Sequence, residues 1–124
     1  MQVASNGLND YRLSHVLDEH NNGKIRSMTP KDTNTWFHEN VEWLKMEIER
    51  AKREKKTVVV LTHHTPCLTG TSDPKYDGSS LSACFSSNLV DLLVDPVVLW
   101  ACGHTHYNFD MTFPSDHNSV ATKT

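Results

Sequence analysis

Two histidine clusters are the residues of this chain whose type and spacing favour metal chemistry. His63 and His64 directly follow one apolar run. His104 and His106 follow a second apolar run, and Gly103 lies between that run and His104. Polar rings at the ends of buried strands cost stability unless they have partners. Two imidazoles two residues apart can point into one space, where they suit a transition metal or a phosphate. The pattern predicts a metal or phosphate site. Gly103 is expected to give the backbone the conformational freedom that the turn after the second run needs.

The position of each histidine relative to its strand distinguishes the predicted roles. His63 directly ends the apolar run and is the predicted ligand of its pair, whereas His64 is predicted to contact substrate or to support the ligands from outside the coordination sphere. Neutral imidazole suits zinc, iron, manganese or nickel. The other histidines lack an apolar strand before them, and a solvated or structural role is expected for His15, His20, His38 and His117.

The two apolar runs must position the histidines. Residues 57–62 and 97–102 are predicted strands, and the run Val58–Leu61 is almost wholly apolar, which suits a strand covered on both faces, as in a parallel sheet. If these strands are neighbours, both clusters lie at the carboxyl edge, where open α/β sheets bind ligands. The long polar loop 65–82 follows the first cluster, and such loops are usually functional. Asp73, Tyr76 and Asp110 have two equally good explanations: they form hydrogen bonds to the site, or they have structural roles in turns.

Helical signals precede and separate the strands. Thr29, Pro30 and Asp32 predict a helix start. From there apolar residues recur with helical spacing at Phe37, Val41, Leu44, Ile48 and Ala51. Residues 87–94 predict a short helix and residues 107–113 a half-exposed strand, so the order indicates an α/β layer.

Composition excludes several function classes. The net charge of −3 provides no basic surface for nucleic acid or anionic lipid. Three cysteines without a C-x-x-C spacing argue against a disulfide scaffold and a thiolate zinc site, and free thiols are expected. No apolar stretch approaches the length of a membrane span and no signal peptide is evident, so a cytoplasmic location is expected.

Three segments taken in order resemble the C-terminal half of a calcineurin-like metallophosphoesterase. They are residues 58–66 with the first histidine pair, the loop 70–76, and residues 100–108 with Gly103-His104-Thr105-His106. The resemblance covers residues 29–113. It implies a four-layered α/β/β/α sandwich that holds two divalent metal ions between its sheets. It further implies that His63 and His104 bind one ion and that His106 binds the other.

The departures from the family pattern concern catalysis. The N-terminal half of such enzymes supplies an Asp-x-His motif, a bridging aspartate from Gly-Asp-x-x-Asp, and a catalytic histidine from Gly-Asn-His-Glu. Neither of the last two motifs occurs in this chain, so no catalytic residue is predicted within it. Because two-metal phosphate-ester hydrolysis needs bridged ions, we expect little or no activity from this polypeptide alone. Residues 1–28 are expected to be irregular, and residues 114–124 to form a divergent tail.

Other interpretations stay open beside this truncated half-domain. The chain is alternatively a non-catalytic fragment or gene-model remnant, at most a weak metal-binding or interaction module. A single-metal histidine-rich hydrolase is less favoured, because the strands offer no well-placed carboxylate. For an intact enzyme we expect a phosphate-ester substrate and neither a nucleic-acid nor a membrane partner. A cut sheet would also expose an edge through which copies self-associate.

Overall fold

The computed structural model describes residues 8–18, 21–76, 78–114 and 119–123. The chain has the mixed α/β composition that the sequence predicts. It divides into two compact units: the first ends at Trp43 and the second begins at Leu44. Across the described ranges, no helix has both the length and the apolar character needed to cross a membrane.

The first unit contains regular structure where the sequence predicted none. Before residue 30, its described elements are helix α1 (Asp10–Leu13) and the antiparallel strands β1 (His15–Asp18) and β2 (Lys24–Ser27). The predicted turn at Asn22 and Gly23 joins the strands, with φ of 52° and 70° at these two residues. Both residue types accept this left-handed backbone. The expectation that residues 1–28 are irregular is thus corrected: a hairpin forms although its strands are short and polar.

Helix α2 (Pro30–Arg53) begins where the sequence predicts. The backbone N–H and the hydroxyl of Thr29 both donate to Asp32 Oδ2, at 2.8 and 2.6 Å. Arg26 adds two hydrogen bonds to the same carboxylate, at 2.8 and 2.6 Å. These bonds, the Arg26 pair foremost, hold the pKa of Asp32 well below its usual range.

We predict that Asp32→Asn lowers the melting temperature at neutral pH by a few degrees. Because the pKa of Asp32 is lower in the folded chain than in the unfolded chain, its stabilisation is present above the ordinary aspartate pKa of about 3.9 and is lost as the pH falls towards the folded-state value. The loss of stability in acid is therefore smaller in the variant. Circular-dichroism melts across this range provide the measurement. Glu39→Gln, an exposed carboxylate change on the same helix, is the control, and an equal effect of both changes would contradict the prediction.

The second unit is built on a mixed four-stranded sheet. Its strands are β3 (Val58–Leu61), β4 (Val97–Ala101), β5 (Asp110–Pro114) and β6 (Ser119–Lys123), in the order β3-β4-β6-β5. Strands β3, β4 and β6 are parallel, and β5 is antiparallel to β6. Both apolar runs form strands as predicted, and these strands are neighbours, which is the condition under which both histidine clusters lie at one edge. Residues 119–123 lie in the segment for which no periodic structure was expected, yet they form β6, which hydrogen-bonds between β4 and β5.

The core of the second unit lies between the sheet and the C-terminal turns of α2. Val97 and Trp100 are 0% exposed, and Val60 is 5% exposed. The predicted apolar stripe of the helix reaches this core through Leu44 and Ile48. These contacts hold β3 and β4 together near their histidine-bearing ends.

Two other local predictions need correction. Residues 87–94 do not form an α-helix; they contain only a three-residue 3-10 turn at Val90–Leu92. The strand predicted over residues 107–113 begins only at Asp110. The apolar residues that suggested these elements contact the core from loops instead. Leu89 does so in the first segment and Phe109 in the second.

Strand β3 is covered on one face only in the described residues. Val60 is 5% exposed, but Val59 and Leu61 are 55% and 76% exposed. The prediction of two covered faces is therefore wrong for β3 as the structure has it, since an apolar composition fits a strand with either one or two covered faces.

This asymmetry predicts different costs of truncation along one strand. Val60→Ala should lower the free energy of unfolding by about 2 kcal/mol, because it opens a cavity in the core. Leu61→Ala should change it by less than about 0.5 kcal/mol, because its side chain is exposed. Urea denaturation of the two variants measures both values. A loss at Leu61 as large as that at Val60 would show that a partner covers this face in solution.

Candidate metal centre

The two histidine segments meet because β3 and β4 are parallel neighbours. The amide of Thr62 donates to the Ala101 carbonyl at 3.0 Å, just beyond the paired strands. The amide of Gly103 then donates to the His63 carbonyl, also at 3.0 Å. These backbone bonds continue the ladder into the turns and fix the separation of the two clusters.

Three imidazoles converge at this edge of the sheet. His104 Nδ1 lies 2.9 Å from His63 Nε2, and the His104 ring centroid lies 4.6 Å from the centroids of both His63 and His64. One nitrogen of each ring lies within 4.8 Å of the others. His63 and His64 are exposed and His104 is half-buried. The group is thus accessible to an ion from solvent.

Three imidazole nitrogens are donors of the kind that transition-metal ions prefer. Around a tetrahedral ion with bonds of about 2.0–2.1 Å, ligand nitrogens lie about 3.3 Å apart. The His63–His104 pair, at 2.9 Å, lies near this separation, while the whole group spans up to 4.8 Å. The nitrogens of His63 and His104 are hydrogen-bonded to each other, which requires a proton on one and a lone pair on the other. An ion bound by both would displace that shared proton, as metals do at imidazole sites.

The histidines that lie together in the structure are not the full set that the sequence analysis assigned to the metals. The structure brings together His63 and His104, which were predicted to share an ion, and it adds His64, which was predicted only to contact substrate or support the ligands. His106, predicted to bind the second ion, is exposed and is not a member of this group. Within the described residues, no carboxylate belongs to the group either.

Left-handed backbone occurs at the histidines rather than at the glycine. His104 and His106 have φ of 73° and 51°, whereas Gly103 lies outside the left-handed region. The expectation that the glycine supplies the turn's freedom is therefore corrected. A non-glycine residue in this conformation costs about 1 kcal/mol or more and is typical of functional sites. Histidine is among the residues that tolerate it best.

Sequence reasoning missed an aromatic contact at the site. The Phe85 ring stacks on the His104 ring, with centroids 4.9 Å apart and 29° between the planes. Thr65, directly after the first histidine pair, accounts for the position of Phe85, because its amide donates to the Phe85 carbonyl at 3.2 Å. Phe85 stands in a segment without periodicity, so only the tertiary structure assigns it this contact.

The cysteines near the site are not arranged as ligands. The three cysteines are free, and Cys67 and Cys102 are 3% and 8% exposed. Burial, with a smaller effect of Cys67, raises the pKa of Cys102 to about 11. The thiol is therefore protonated at neutral pH. The predicted free cysteines are confirmed, and the imidazoles are the donors that this edge presents.

The remaining candidates have local roles or lie elsewhere. Within one turn, the Asp73 carboxylate forms an ion pair with Lys75 Nζ at 2.9 Å. The same Nζ lies over the Tyr76 ring, 4.8 Å from its centroid. Asp110 begins β5. His15 Nδ1 lies 3.1 Å from the Leu13 carbonyl, and His38 contacts Phe37. His20, whose spacing from Asp18 is Asp-x-His, and His117 lie outside the described residues.

The comparisons with known proteins leave the family open. The chain is 33% identical over 109 residues to uncharacterized protein L509 of Acanthamoeba polyphaga mimivirus. The match covers 83% of this chain but only 37% of the viral protein, so the chain spans little more than a third of its relative. No protein-family model and no solved structure matches the chain.

The geometry predicts that the chain binds Zn²⁺ and that His104→Ala weakens this binding at least about tenfold, because the replaced ring is common to both close imidazole pairs. Isothermal titration calorimetry measures the affinity. His38→Ala removes an exposed imidazole from helix α2 and should leave the affinity unchanged. Equal weakening by both changes would show nonspecific binding to surface histidines.

Proposed function

We propose that this chain is the C-terminal half of a calcineurin-like metallophosphoesterase domain, whose complete form hydrolyses phosphate esters with a metal-activated water. The observation that carries the proposal is the meeting of both histidine motifs at the carboxyl edge of parallel strands, with His104 Nδ1 and His63 Nε2 2.9 Å apart. Open α/β sheets bind ligands at this edge. The motif order and the spatial convergence support the proposal independently of each other.

In this proposal the histidines hold two divalent ions, zinc, iron, manganese or nickel. His63 and His104 bind one ion and His106 binds the other. Bound ions of this kind lower the pKa of a coordinated water and polarise phosphoryl oxygens. His64 is exposed beside the His104 ring, so it can donate a hydrogen bond to a phosphate oxygen or supply a third nitrogen to the first ion.

The complete domain needs groups that the imidazole cluster does not include. A bridging carboxylate and a catalytic acid are required for in-line attack on phosphorus. No carboxylate joins the three imidazoles in the part of the chain that the structure describes. The viral relative is much longer than the matched region, so a relative of this chain has the length for such a segment. We therefore assign the missing groups to a further segment.

A second layer of the proposed four-layered α/β/β/α sandwich would cover the exposed face of β3. Val59 and Leu61 offer 55% and 76% of their surface on that face. A second sheet packed there would bury these side chains, as inner faces of packed sheets do. Without it, we expect copies of the chain to self-associate through the edge strands of the described sheet, β3 and β5.

A metal-binding or interaction module without catalysis is the second candidate. It is favoured by one observation: the three converging imidazoles all come from this chain, so metal binding needs no further segment. The two candidates agree on metal binding and differ on turnover.

Turnover of p-nitrophenyl phosphate and bis(p-nitrophenyl) phosphate with Mn²⁺ separates the candidates. We expect turnover near background from this chain alone, because among its described residues no carboxylate joins the imidazoles to bridge two ions. The genomic frame upstream of Met1 should encode Gly-Asp-x-x-Asp and Gly-Asn-His motifs, and the protein expressed from that longer frame should be active. In it, His104→Ala should lower kcat/KM at least about 100-fold, and His38→Ala should leave it unchanged.

Three results would contradict the proposal. A frame without these motifs, or an inactive longer protein that still binds Mn²⁺, would favour the noncatalytic module. Robust turnover by the chain alone would show that no further segment is needed.

A further inference from the structure

A hydrogen-bonded relay connects the core of the second unit to the first histidine pair. The indole Nε1 of Trp100, a residue that is 0% exposed, donates to Thr62 Oγ1 at 2.8 Å. The Thr62 hydroxyl in turn donates to the His64 carbonyl at 2.6 Å. The relay thus runs from β4, through the residue that follows β3, to the backbone of the turn that carries His64.

The direction of both bonds is fixed by chemistry. Indole N–H is a donor only and a backbone carbonyl is an acceptor only, while a hydroxyl has one proton to donate and lone pairs to accept. Thr62 therefore accepts from Trp100 and uses its single proton on the His64 carbonyl. Valine has the shape of threonine but can make neither bond.

We propose that Thr62 is a positioning residue that holds His64 within reach of the other two imidazoles. This inference rests on the proposed metal site, because positioning matters only if the three rings act together. The relay anchors the turn to a side chain of the sheet that is 0% exposed, and the amide of Gly103 holds the adjacent His63 carbonyl at 3.0 Å. Two consecutive carbonyls of the histidine pair are therefore fixed from β4 and its following turn.

A purely structural role for the hydroxyl is the competing explanation. Loss of Thr62 Oγ1 would leave the buried indole N–H without this partner, which destabilises the fold whether or not the histidines bind anything. Stability alone cannot separate the two roles. Metal affinity and the magnetic environment of the imidazoles can, when they are measured on folded protein.

The test compares Thr62→Val with Thr62→Ser, which restores the hydroxyl. Zn²⁺ titration by calorimetry should show affinity about tenfold weaker for Thr62→Val and within about twofold of wild type for Thr62→Ser. Thr33→Val is the matched control, because Thr33 is also half-buried and its hydroxyl donates to the Pro30 carbonyl at 3.1 Å in the first unit. It should leave Zn²⁺ affinity unchanged.

Metal-free ¹H–¹⁵N spectra of the imidazoles give a readout that does not depend on metal binding. The resonances of His63, His64 and His104 should shift in Thr62→Val and return to their wild-type positions in Thr62→Ser. If Thr62→Val does not fold, Trp100→Phe removes the indole donor instead and should move both readouts in the same direction.

The outcomes separate this inference from the function on which it rests. Spectra and affinities unchanged in folded Thr62→Val, or in Trp100→Phe, would overturn the positioning role. If wild-type protein binds no Zn²⁺ at all, the proposed metal site fails, and the imidazole spectra alone then decide whether Thr62 positions His64.

Discussion

The parallel pairing of β3 with β4 is the constraint on which the candidate site depends. Parallel strands end at the same edge, so the residues that follow Leu61 and Ala101 emerge side by side. The pairing is stabilised by burial rather than by the histidines, since Val60, Val97 and Trp100 form the core beneath them. The imidazoles are consequently brought together by apolar residues that take no part in their chemistry.

The same pairing determines how strain and polarity are distributed at the edge. The left-handed backbone at His104 persists because its flanks are held: the Gly103 amide bonds to the first histidine turn, and Phe85 stacks on the ring. Strained positions survive only where the surrounding structure fixes them. Beside this edge the thiols stay buried and protonated. The polar function of the edge is therefore concentrated in imidazole.

The sequence was informative where a local pattern has only one structural solution. The capping residues Thr29 and Asp32 predicted the start of α2, and the two apolar runs predicted strands β3 and β4; both predictions are confirmed. The sequence left open whether these strands pair, and the structure shows that they do. The proximity of His63 to His104 followed from that pairing. The patterns failed where tertiary contacts decide: the leucines of residues 87–94 reach the core from a loop, and β6 pairs through its backbone without an apolar repeat. Phe85 and the role of Thr62 depend on side chains distant in sequence, which no local spacing encodes.

The order of strands in the sheet has a consequence for biosynthesis. Strand β6 lies between β4 and β5, although it follows both in the chain. As the polypeptide leaves the ribosome, β4 therefore has one unpaired side until residues 119–123 emerge, and β5 has no strand to join before then. An unpaired apolar strand is a template for pairing with other chains. Chaperone engagement or premature aggregation during translation would thus be governed by β6, which emerges after the other three strands of the described sheet, even though it carries none of the site residues.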